Sequence, residues 1–275
     1  MFRIAGYTKG DVAAYYRAVA KWMLPELVNR PLSLVRCPGG SDGPCFFQKH
    51  HAESLGDDVG SIPLQQKSGV EAYLYVTDVE GVLDLVQMNT LEFHPWGSRI
   101  EAPEAPDRLV FDLDPADDVP WPAVVAGARE IRAVLRRQGL QSFVRLSGGK
   151  GLHVVVPIRP ASDWDTVRAF CDRFANALAE RRSDRYVATM SKAKRGGRIF
   201  IDWLRNSRGS TSVASWSLRA RPGAPVAVPL RWADLGGLPG PATFDLSSAM
   251  ARAARLRADP WAGFSELEQA LPAMP

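Results

Sequence analysis

The β-strand that decides the fold reads Arg108-Leu109-Val110-Phe111-Asp112-Leu113-Asp114-Pro115. Most of these residues favour strands, and Pro115 ends the run. Side chains alternate along a strand, so Asp112 and Asp114 share one face, with Cα atoms about 6.7 Å apart at two strand rises. Two neighbouring carboxylates are costly unless a cation lies between them. The pattern predicts a site for a hard cation such as Mg²⁺ or Mn²⁺, and the alternative is that Asp114-Pro115 only opens a turn.

The residues after this strand predict an α+β fold with a ferredoxin-like, RRM-like β-α-β-β-α-β module. The predicted order is a strand at 108–114, a helix at about 121–138, strands at 142–147 and 152–158, a helix at about 163–181 and a strand at 198–203. In this fold the sheet is antiparallel, and the first strand lies between the third and the fourth. Helices cover one face of the sheet, and we expect the other face to stay open for function.

The predicted topology brings further polar residues to the two aspartates. The third strand begins at Leu152-His153, beside the end of the first strand, and the fourth strand carries Asp202. We therefore expect His153 and Asp202 to converge with the two aspartates on the open face. Three carboxylates and a histidine in one place fit a two-metal phosphoryl-transfer site.

The turn between the second and third strands is rich in glycine. It reads Ser147-Gly148-Gly149-Lys150-Gly151. Glycines let successive N–H groups form an anion-binding nest, to which Lys150 adds charge. The turn is not a Walker A loop, because Gly151 follows the lysine where Ser or Thr should stand. It is either a plain hairpin turn or a triphosphate cradle, and the neighbouring acids favour the cradle.

The amino-terminal third has a helix with a charged start. Thr8 and Asp11 form a capping-box pattern ahead of an apolar helical face that extends to Leu27. Lys9 lies in the first turn, where a lysine gains nothing from the helix dipole. Lys9 is therefore either an anion-binding residue or an ordinary exposed lysine.

Two adjacent phenylalanines stand out in the same region. Phe46 and Phe47 cannot both face the core from a simple strand. The alternatives are an exposed platform for a base or one core and one edge aromatic. Other predicted elements are strands at 32–37, 71–77 and 91–96, the last carrying His94, and a helix at 79–88.

Composition excludes several classes of protein. The 275 residues are 46% apolar and 23% charged, as in a globular protein, and the net charge of +4 is compatible with nucleic-acid binding. Basic residues cluster at 192–198 and 205–221. No C-x-x-C pair is formed by the three cysteines, Cys37, Cys45 and Cys171, so we expect neither a disulfide nor a zinc site. We therefore expect a reduced, cytoplasmic protein. No stretch reaches membrane-spanning length, so we expect no membrane partner.

The linker composition of 101–106 predicts two lobes. We expect an N-terminal α/β lobe at 1–104 and a catalytic lobe at 105–275, which together make one domain. The second lobe is predicted to end with helices at 246–257 and 264–271 that have packing roles.

Several of these motifs together resemble a known family. Segments 111–115, 147–153 and 200–203 are similar to those of the archaeo-eukaryotic primase superfamily. Segments 6–9, 46–50, 91–96 and 217–219 resemble, within it, the polymerase domain of the bacterial ATP-dependent DNA ligase of non-homologous end joining, ligase D. The resemblance covers almost the whole chain.

The resemblance implies a metal-dependent nucleotidyltransferase that fills or extends broken DNA ends and prefers ribonucleotides. It implies two Mn²⁺ or Mg²⁺ ions as cofactors. The implied partners are DNA ends with a 5′-phosphate, NTPs or dNTPs, a Ku-like end-binding protein and a ligase domain in cis or in trans. The implied place is the cytoplasm of a bacterium, at the nucleoid.

The resemblance also implies roles for individual residues. The implied metal ligands and catalytic residues are Asp112, Asp114 and Asp202, and the implied nucleotide-binding residues are Ser147, Lys150, His153, His94 and Arg219. Lys9 would bind the downstream 5′-phosphate, and Phe46 and Phe47 would form the template-base platform. The residues of the basic approach to DNA would be Arg195 and Arg198 and, because it lies beside Asp202 in a basic segment, Arg205.

Two other functions compete with this one. A stand-alone primase would start primers without a 3′-hydroxyl, but such proteins commonly carry a zinc motif that the scattered cysteines do not supply. A non-catalytic module that bridges DNA ends is the other alternative. The complete set of three acids argues against it, because a scaffold does not need them.

Overall fold

A computed structural model describes residues 3–40, 43–50 and 55–272. The α-helices are α1 Lys9–Leu27, α2 Val79–Gln87, α3 Trp121–Arg137, α4 Trp164–Arg181 and α5 Leu246–Arg255. The strands are β1 Arg3–Ile4, β2 Tyr7–Thr8, β3 Leu32–Arg36, β4 Phe46–Gln48, β5 Val59–Gln66, β6 Gly69–Val76, β7 Thr90–Pro95, β8 Arg108–Pro115, β9 Phe143–Leu146, β10 Leu152–Pro157, β11 Tyr186–Val187, β12 Ile199–Asp202 and β13 Val228–Leu230. The predicted α+β class and the predicted order of elements in the central module are confirmed.

The chain forms two units, and neither is continuous in sequence. Unit 1 comprises Met1–Glu101, Thr211–Val228 and Phe244–Asp259, and unit 2 comprises Ala102–Ser210, Pro229–Thr243 and Pro260–Pro275. The units therefore differ from the predicted lobes at 1–104 and 105–275, because two later segments return to the first unit. Backbone and side-chain hydrogen bonds hold them there: Ala214 N donates to Phe93 O at 2.8 Å, and Trp22 Nε1 donates to Ala253 O at 3.3 Å.

Unit 1 contains a three-stranded sheet of order β4-β3-β7 and a separate β5-β6 hairpin. Helix α1 starts with the predicted capping box, because Asp11 N donates to Thr8 Oγ1 at 3.2 Å and Thr8 N donates to Asp11 Oδ2 at 2.8 Å. Its apolar face is buried, and Tyr16 is part of it. The hydroxyl of Tyr16 donates to Leu91 O and accepts from Leu218 N, which ties α1 to the end of the sheet.

The expectation that the cysteines form no disulfide is wrong. Cys37 and Cys45 are bonded, with Cα atoms 4.2 Å apart, while Cys171 is a free buried thiol. The reason is local: β3 and β4 pair antiparallel with Arg36 opposite Phe46, so the residues that follow β3 and precede β4 lie side by side. The bond closes the loop that connects these two strands.

Loss of this disulfide should lower stability. The Cys45→Ser variant is expected to lose about 2–3 kcal/mol of unfolding free energy, because the bond restricts a loop of eight residues in the unfolded chain. Chemical denaturation of both proteins under oxidising conditions measures the difference. A reductant should lower the unfolding free energy of the wild type to that of the variant, and it should leave the unfolding free energy of the variant unchanged. An equal decrease in both proteins would contradict the assignment.

Unit 2 is built on a six-stranded sheet of order β11-β12-β8-β10-β9-β13. Strands β8, β9, β10 and β12 form the ferredoxin-like core, with antiparallel pairs throughout and β8 between β10 and β12, as predicted. Strand β11 adds to one edge in parallel with β12, and β13 adds to the other edge next to β9. Because β8 is central, its two neighbours β10 and β12 lie directly beside Asp112 and Asp114.

The two faces of this sheet are covered differently. Phe111 packs against Phe174 of α4, with ring centres 4.7 Å apart. On the opposite face, Val110 and Val155 form a cluster with Trp261, so this face is only partly open. The face that we expected to stay open is therefore covered in part, because the C-terminal segment packs on it.

That covering segment is not the predicted helix at 264–271. Only a 3₁₀ turn forms at Phe264–Glu266, after Gly263 in a left-handed conformation with φ of 84°. After this turn, Gln269 binds the chain to the end of β10. Its backbone oxygen accepts a hydrogen bond from Arg159 N at 2.8 Å, and its side-chain Nε2 donates to Pro157 O at 2.7 Å. Within the described residues, no helix has the length and apolar character needed to cross a membrane.

Candidate active site

Three aspartates lie on neighbouring positions of β8 and β12, and we call them the carboxylate ridge. Asp202 pairs directly with Asp112 across the two strands, and Phe200 pairs with Asp114. Directly opposed residues on antiparallel strands have their side chains on the same face, and so do residues two apart. The backbone therefore places Asp112, Asp114 and Asp202 on one face, as the sequence predicts.

Arginines bind the ridge in the structure. Arg205 Nε lies 3.1 Å from Asp202 Oδ2 and 3.4 Å from Asp112 Oδ2, so one guanidinium bridges two of the acids. Arg195 NH1 lies 2.8 Å from Asp114 Oδ2. Across the described ranges, no three His, Cys, Asp or Glu side chains are grouped closely enough to bind one metal ion as they stand. The ridge is thus held by cationic side chains.

The donor set nevertheless suits a hard divalent cation. Carboxylate oxygens are the ligands that Mg²⁺ and Mn²⁺ prefer. The bridging position of Arg205 shows that positive charge is accepted between Asp112 and Asp202. Burial raises the pKa of Asp202 above its usual value, although Arg205 and the N–H of Leu204 act in the opposite direction. A buried carboxylate of this kind is stabilised by a cation in contact with it.

His153 has a defined tautomer. Arg145 Nε donates to His153 Nδ1 at 3.2 Å, and a guanidinium cannot accept a hydrogen bond. In the neutral ring the proton is therefore on Nε2, which lies 3.5 Å from Asp112 Oδ1. Sequence reasoning missed Arg145, which is fully buried and directly opposite His153 on β9. The short turn between β9 and β10 is the signal that predicts this pairing.

The glycine turn is closed on itself. Ser147 Oγ donates to Gly151 O at 3.0 Å and accepts from Gly149 N at 3.2 Å. A Cβ atom at Gly151 would lie 1.8 Å from the carbonyl oxygen of Leu113, so only glycine lets the turn approach β8 this closely. Lys150 forms an ion pair with Asp117 at the surface.

Asn206 is a second residue that sequence reasoning missed. Its Oδ1 accepts from Val110 N at 2.7 Å, and its Nδ2 donates to Val110 O at 2.8 Å. The side-chain amide of Asn206 thus makes the two hydrogen bonds to Val110 that the backbone of a neighbouring strand residue would otherwise make. This contact fixes the 3₁₀ turn Leu204–Asn206, which carries Arg205 to the ridge.

Of the other basic residues predicted for DNA contact, the structure brings only one to the ridge. Arg195 stacks on Phe200, with Cζ 4.0 Å from the ring centre, and donates to Met190 O at 3.0 Å. Arg198 NH1 donates instead to Ser183 O at 3.4 Å.

In unit 1 a buried glutamate organises the predicted nucleotide-binding residues. His94 Nε2 donates to Glu92 Oε2 at 2.8 Å, and Arg219 Nε donates to the same oxygen at 2.9 Å. Burial alone would raise the pKa of Glu92, but the hydrogen bond from His94 and the charge of Arg219 outweigh it and lower the pKa to about 2. Sequence reasoning missed Glu92, although it lies two residues before His94 and hence on the same strand face.

The depressed pKa of Glu92 predicts a pH effect on stability. The ionised carboxylate stabilises the fold fully above its usual pKa near 4.5, and this contribution is lost as the pH falls towards about 2. The full contribution is about 3 kcal/mol, since one pKa unit is 1.36 kcal/mol. Unfolding free energies measured between these pH values should fall less steeply in Glu92→Gln than in the wild type. Identical slopes would contradict the proposed network.

The two phenylalanines are both exposed, Phe46 to 46% and Phe47 to 67%. The exposure of both rings therefore favours an exposed pair over the alternative of one core and one edge aromatic. Phe47 lies beside His94, with ring centres 6.1 Å apart, and Arg36 lies over the Phe46 ring at 5.5 Å. The exposed ring of Phe47 thus neighbours the buried histidine within unit 1.

Lys9 is held at the end of another helix. Its Nζ donates to Gln87 O at 2.7 Å, at the C-terminus of α2, where the helix dipole favours a cation. The lysine therefore has a partner in unit 1, and the residue as a whole is only partly buried.

Comparison with known proteins gives a consistent result. A family model described as "LigD, primase-polymerase domain" matches residues 8–261. The multifunctional non-homologous end joining protein LigD of Pseudomonas aeruginosa is 36% identical over 267 residues, which is 97% of this chain and 32% of that protein. The bifunctional non-homologous end joining protein LigD of Bacillus subtilis is 28% identical over 246 residues, 89% of this chain and 39% of that protein. The chain thus spans about a third of the length of these relatives.

A solved structure agrees with these sequence relatives. The polymerase domain of Mycobacterium tuberculosis ligase D, in complex with DNA, superposes with a TM-score of 0.87 and 31% identity. The match covers 95% of this chain and 93% of that one.

Proposed function

We propose, from the premise that this chain belongs to the LigD primase-polymerase family, that its carboxylate ridge serves metal-dependent nucleotide addition to the 3′ ends of broken DNA. The family makes the chain a DNA repair polymerase of the nucleotidyltransferase class with an archaeo-eukaryotic primase-like fold. The observation that carries the metal proposal is the direct pairing of Asp202 with Asp112 on strands β12 and β8.

Asp112, Asp114 and Asp202 would hold the metal ions, either Mn²⁺ or Mg²⁺, and we propose two of them. When bound, such ions neutralise phosphate charge and activate the attacking oxygen. Arg205 and Arg195 now bind the acids, and we propose that they exchange these contacts for phosphate groups when substrate binds. Arginine suits both partners, because its planar guanidinium group can form two parallel hydrogen bonds with either a carboxylate or a phosphate.

His153 and the glycine turn would bind the triphosphate. With Nδ1 accepting from Arg145, the Nε2–H group of His153 is the donor that can reach a phosphate oxygen. Lys150 is paired with Asp117 only at the surface, and such ion pairs are weak. The ammonium can therefore leave Asp117 for a phosphate at little cost. Ser147 would act mainly by holding the turn closed.

The residues of unit 1 would bind the nucleotide and the DNA. We assign His94 and Arg219 to the incoming nucleotide, Phe46 and Phe47 to the template base, and Lys9 to a downstream 5′-phosphate. The exposed rings support the second assignment, because bases stack on aromatic side chains. Arg198 is assigned to DNA with Arg195 and Arg205. A Ku-like protein, a ligase domain and action at the nucleoid are proposed from the family.

Extension of a gapped duplex with a 5′-phosphate tests this function. We expect single-nucleotide addition that requires Mn²⁺ or Mg²⁺ and a 3′-hydroxyl. Synthesis on an unprimed single strand would instead support a stand-alone primase. Binding of DNA ends without any addition would support a bridging module.

The sugar preference yields a separate prediction. Because Glu92 accepts from His94 Nε2, the neutral ring keeps an acceptor at Nδ1, which suits a ribose 2′-hydroxyl. We propose that ribonucleotides are favoured and that His94→Ala lowers the ribo-to-deoxyribonucleotide ratio by roughly tenfold, the value of one hydrogen bond. Competition between matched nucleotides in single-addition assays measures this ratio. Lys9→Ala is the control, and its ribo-to-deoxyribonucleotide ratio should equal that of the wild type. Equal use of both sugars by the wild type would reject the proposal.

A further inference from the structure

A cavity of about 690 Å³ lies in unit 2 where α3 ends and β9 begins. Its walls come from the last two turns of α3, from residues 139–143, from residues 230–233 at and after the end of β13, and from Pro260. The glycine turn is at the other end of β9, about 13 Å away along four strand residues. The cavity is therefore separate from the residues assigned to nucleotide addition.

The lining of this cavity is positively charged. Arg132, Arg136 and Arg231 line it, and no acidic residue does so in the part of the chain that is described. Asp234 neutralises Arg231, whose Nε and NH2 both lie 2.9 Å from the carboxylate. Arg132 lies over the ring of Trp232, with Cζ 4.8 Å from the ring centre.

Two of these arginines lack an acidic partner. Among the described residues neither Arg132 nor Arg136 has a carboxylate within ion-pair distance. Burial, and then the charge of Arg136, lowers the pKa of Arg132. An anion between the two guanidinium groups would relieve this repulsion and the cost of burying one of them.

A buried hydroxyl at the same place also lacks a partner. Ser142 is 4% exposed and lines the cavity, and its Oγ makes no hydrogen bond to any described residue. Its backbone oxygen accepts from Trp232 Nε1 at 2.7 Å, which fixes the serine next to the arginine-stacked ring. Buried polar groups are nearly always hydrogen-bonded, so this hydroxyl indicates an absent acceptor.

We propose that this cavity is a binding site for a small phosphorylated anion of nucleotide size, held by Arg132, Arg136 and Ser142. Guanidinium groups pair with phosphate oxygens through two parallel hydrogen bonds, and the serine hydroxyl would donate a further one. The volume lies in the range of about 300–1,000 Å³ that is usual for small-molecule sites. The lining combines guanidinium and hydroxyl groups with apolar residues in one concave pocket, which suits a small free anion. The proposal does not depend on the polymerase activity.

The test follows the indole N–H resonance of Trp232 by NMR during titration with inorganic triphosphate in the presence of EDTA, which keeps metal ions from the ridge. Trp232→Phe identifies the resonance. We expect a saturable shift in the wild-type chain. Arg136→Gln, at an exposed position, should weaken the apparent affinity roughly tenfold, as expected for loss of a hydrogen bond to a charged group. Ser142→Ala should weaken it several-fold.

Arg137→Gln is the matched control, because it removes the same charge from the next residue of the helix and outside the cavity lining. It should leave the affinity unchanged. Equal losses in Arg136→Gln and Arg137→Gln, or no shift of the Trp232 resonance, would overturn the proposal. Saturation of that resonance by a short DNA duplex at lower concentration than by triphosphate would overturn the choice of ligand in favour of a DNA contact.

Discussion

The Asp112→Ala variant is expected to lose nucleotide addition by about a thousandfold or more while DNA binding is largely kept. Asp112 lies opposite both Asp202 and His153, so its removal disrupts the ridge at its centre. A metal ion supplies several kcal/mol of transition-state stabilisation, and each 1.36 kcal/mol is a factor of ten in rate. We expect DNA affinity to come from cationic side chains, which the Asp112→Ala substitution leaves in place. Single-turnover extension and a DNA titration at fixed salt measure the two effects separately.

Asp184→Ala is the control for this variant. Asp184 is exposed and pairs with Arg182 at the surface, so its loss should change neither rate nor DNA affinity. If Asp112→Ala extended primers at a near-normal rate, the assignment of the ridge to catalysis would be wrong. A loss of DNA binding equal to the loss of rate would assign Asp112 to DNA contact or folding.

The Gly151→Ala variant should have the second largest effect. Its new Cβ would lie 1.8 Å from Leu113 O in the backbone of β8, and neither strand can move away cheaply at the centre of a sheet. We expect a loss of about 1–3 kcal/mol of unfolding free energy, the usual cost of overpacking, together with weaker nucleotide binding. The glycine turn must move, and with it Lys150. Chemical denaturation and nucleotide titration measure the two losses.

Gly196→Ala provides a matched comparison. A Cβ at Gly196 meets no atom within 4 Å, and its φ lies outside the left-handed region, so stability should change little. Wild-type stability in Gly151→Ala would show that the turn is not packed against β8 as described.

The sheet of unit 2 could be predicted from sequence because two simple rules agree there. Strand alternation places Asp112 and Asp114 on one face, and the β-α-β-β-α-β order places the third and fourth strands on either side of the first. Together they predict that His153 and Asp202 flank Asp112, and the observed register confirms this placement. The roles of these residues remain proposals.

Other features depend on contacts between residues far apart in sequence. No local pattern shows that 211–228 and 244–259 return to unit 1. Strand β5 was not predicted, because Gly60 and Pro63 interrupt its pattern, and it forms by pairing with β6 along its whole length. The Cys37–Cys45 bond depends on the pairing of β3 with β4 rather than on a cysteine motif.

The residues that support the sites were missed for a different reason. Arg145 and Glu92 are charged residues within strands, and charge in a strand is usually read as a solvent-facing position. Both are buried, because each has a hydrogen-bond partner on a neighbouring residue of the same sheet or strand. Applying the alternation rule to Glu92 and His94, as to Asp112 and Asp114, would have found one of them.

Direct measurement of Mn²⁺ binding tests the central claim, that the carboxylate ridge is the metal site of this polymerase. Electron paramagnetic resonance of free Mn²⁺ is recorded while the wild-type chain is added, with nucleotide present, and is repeated with Asp112→Asn and Asp202→Asn. We predict that the wild type removes Mn²⁺ from solution in a saturable way and that each variant has much weaker binding. Equal Mn²⁺ binding by the wild type and by the chain that carries both substitutions would contradict the account.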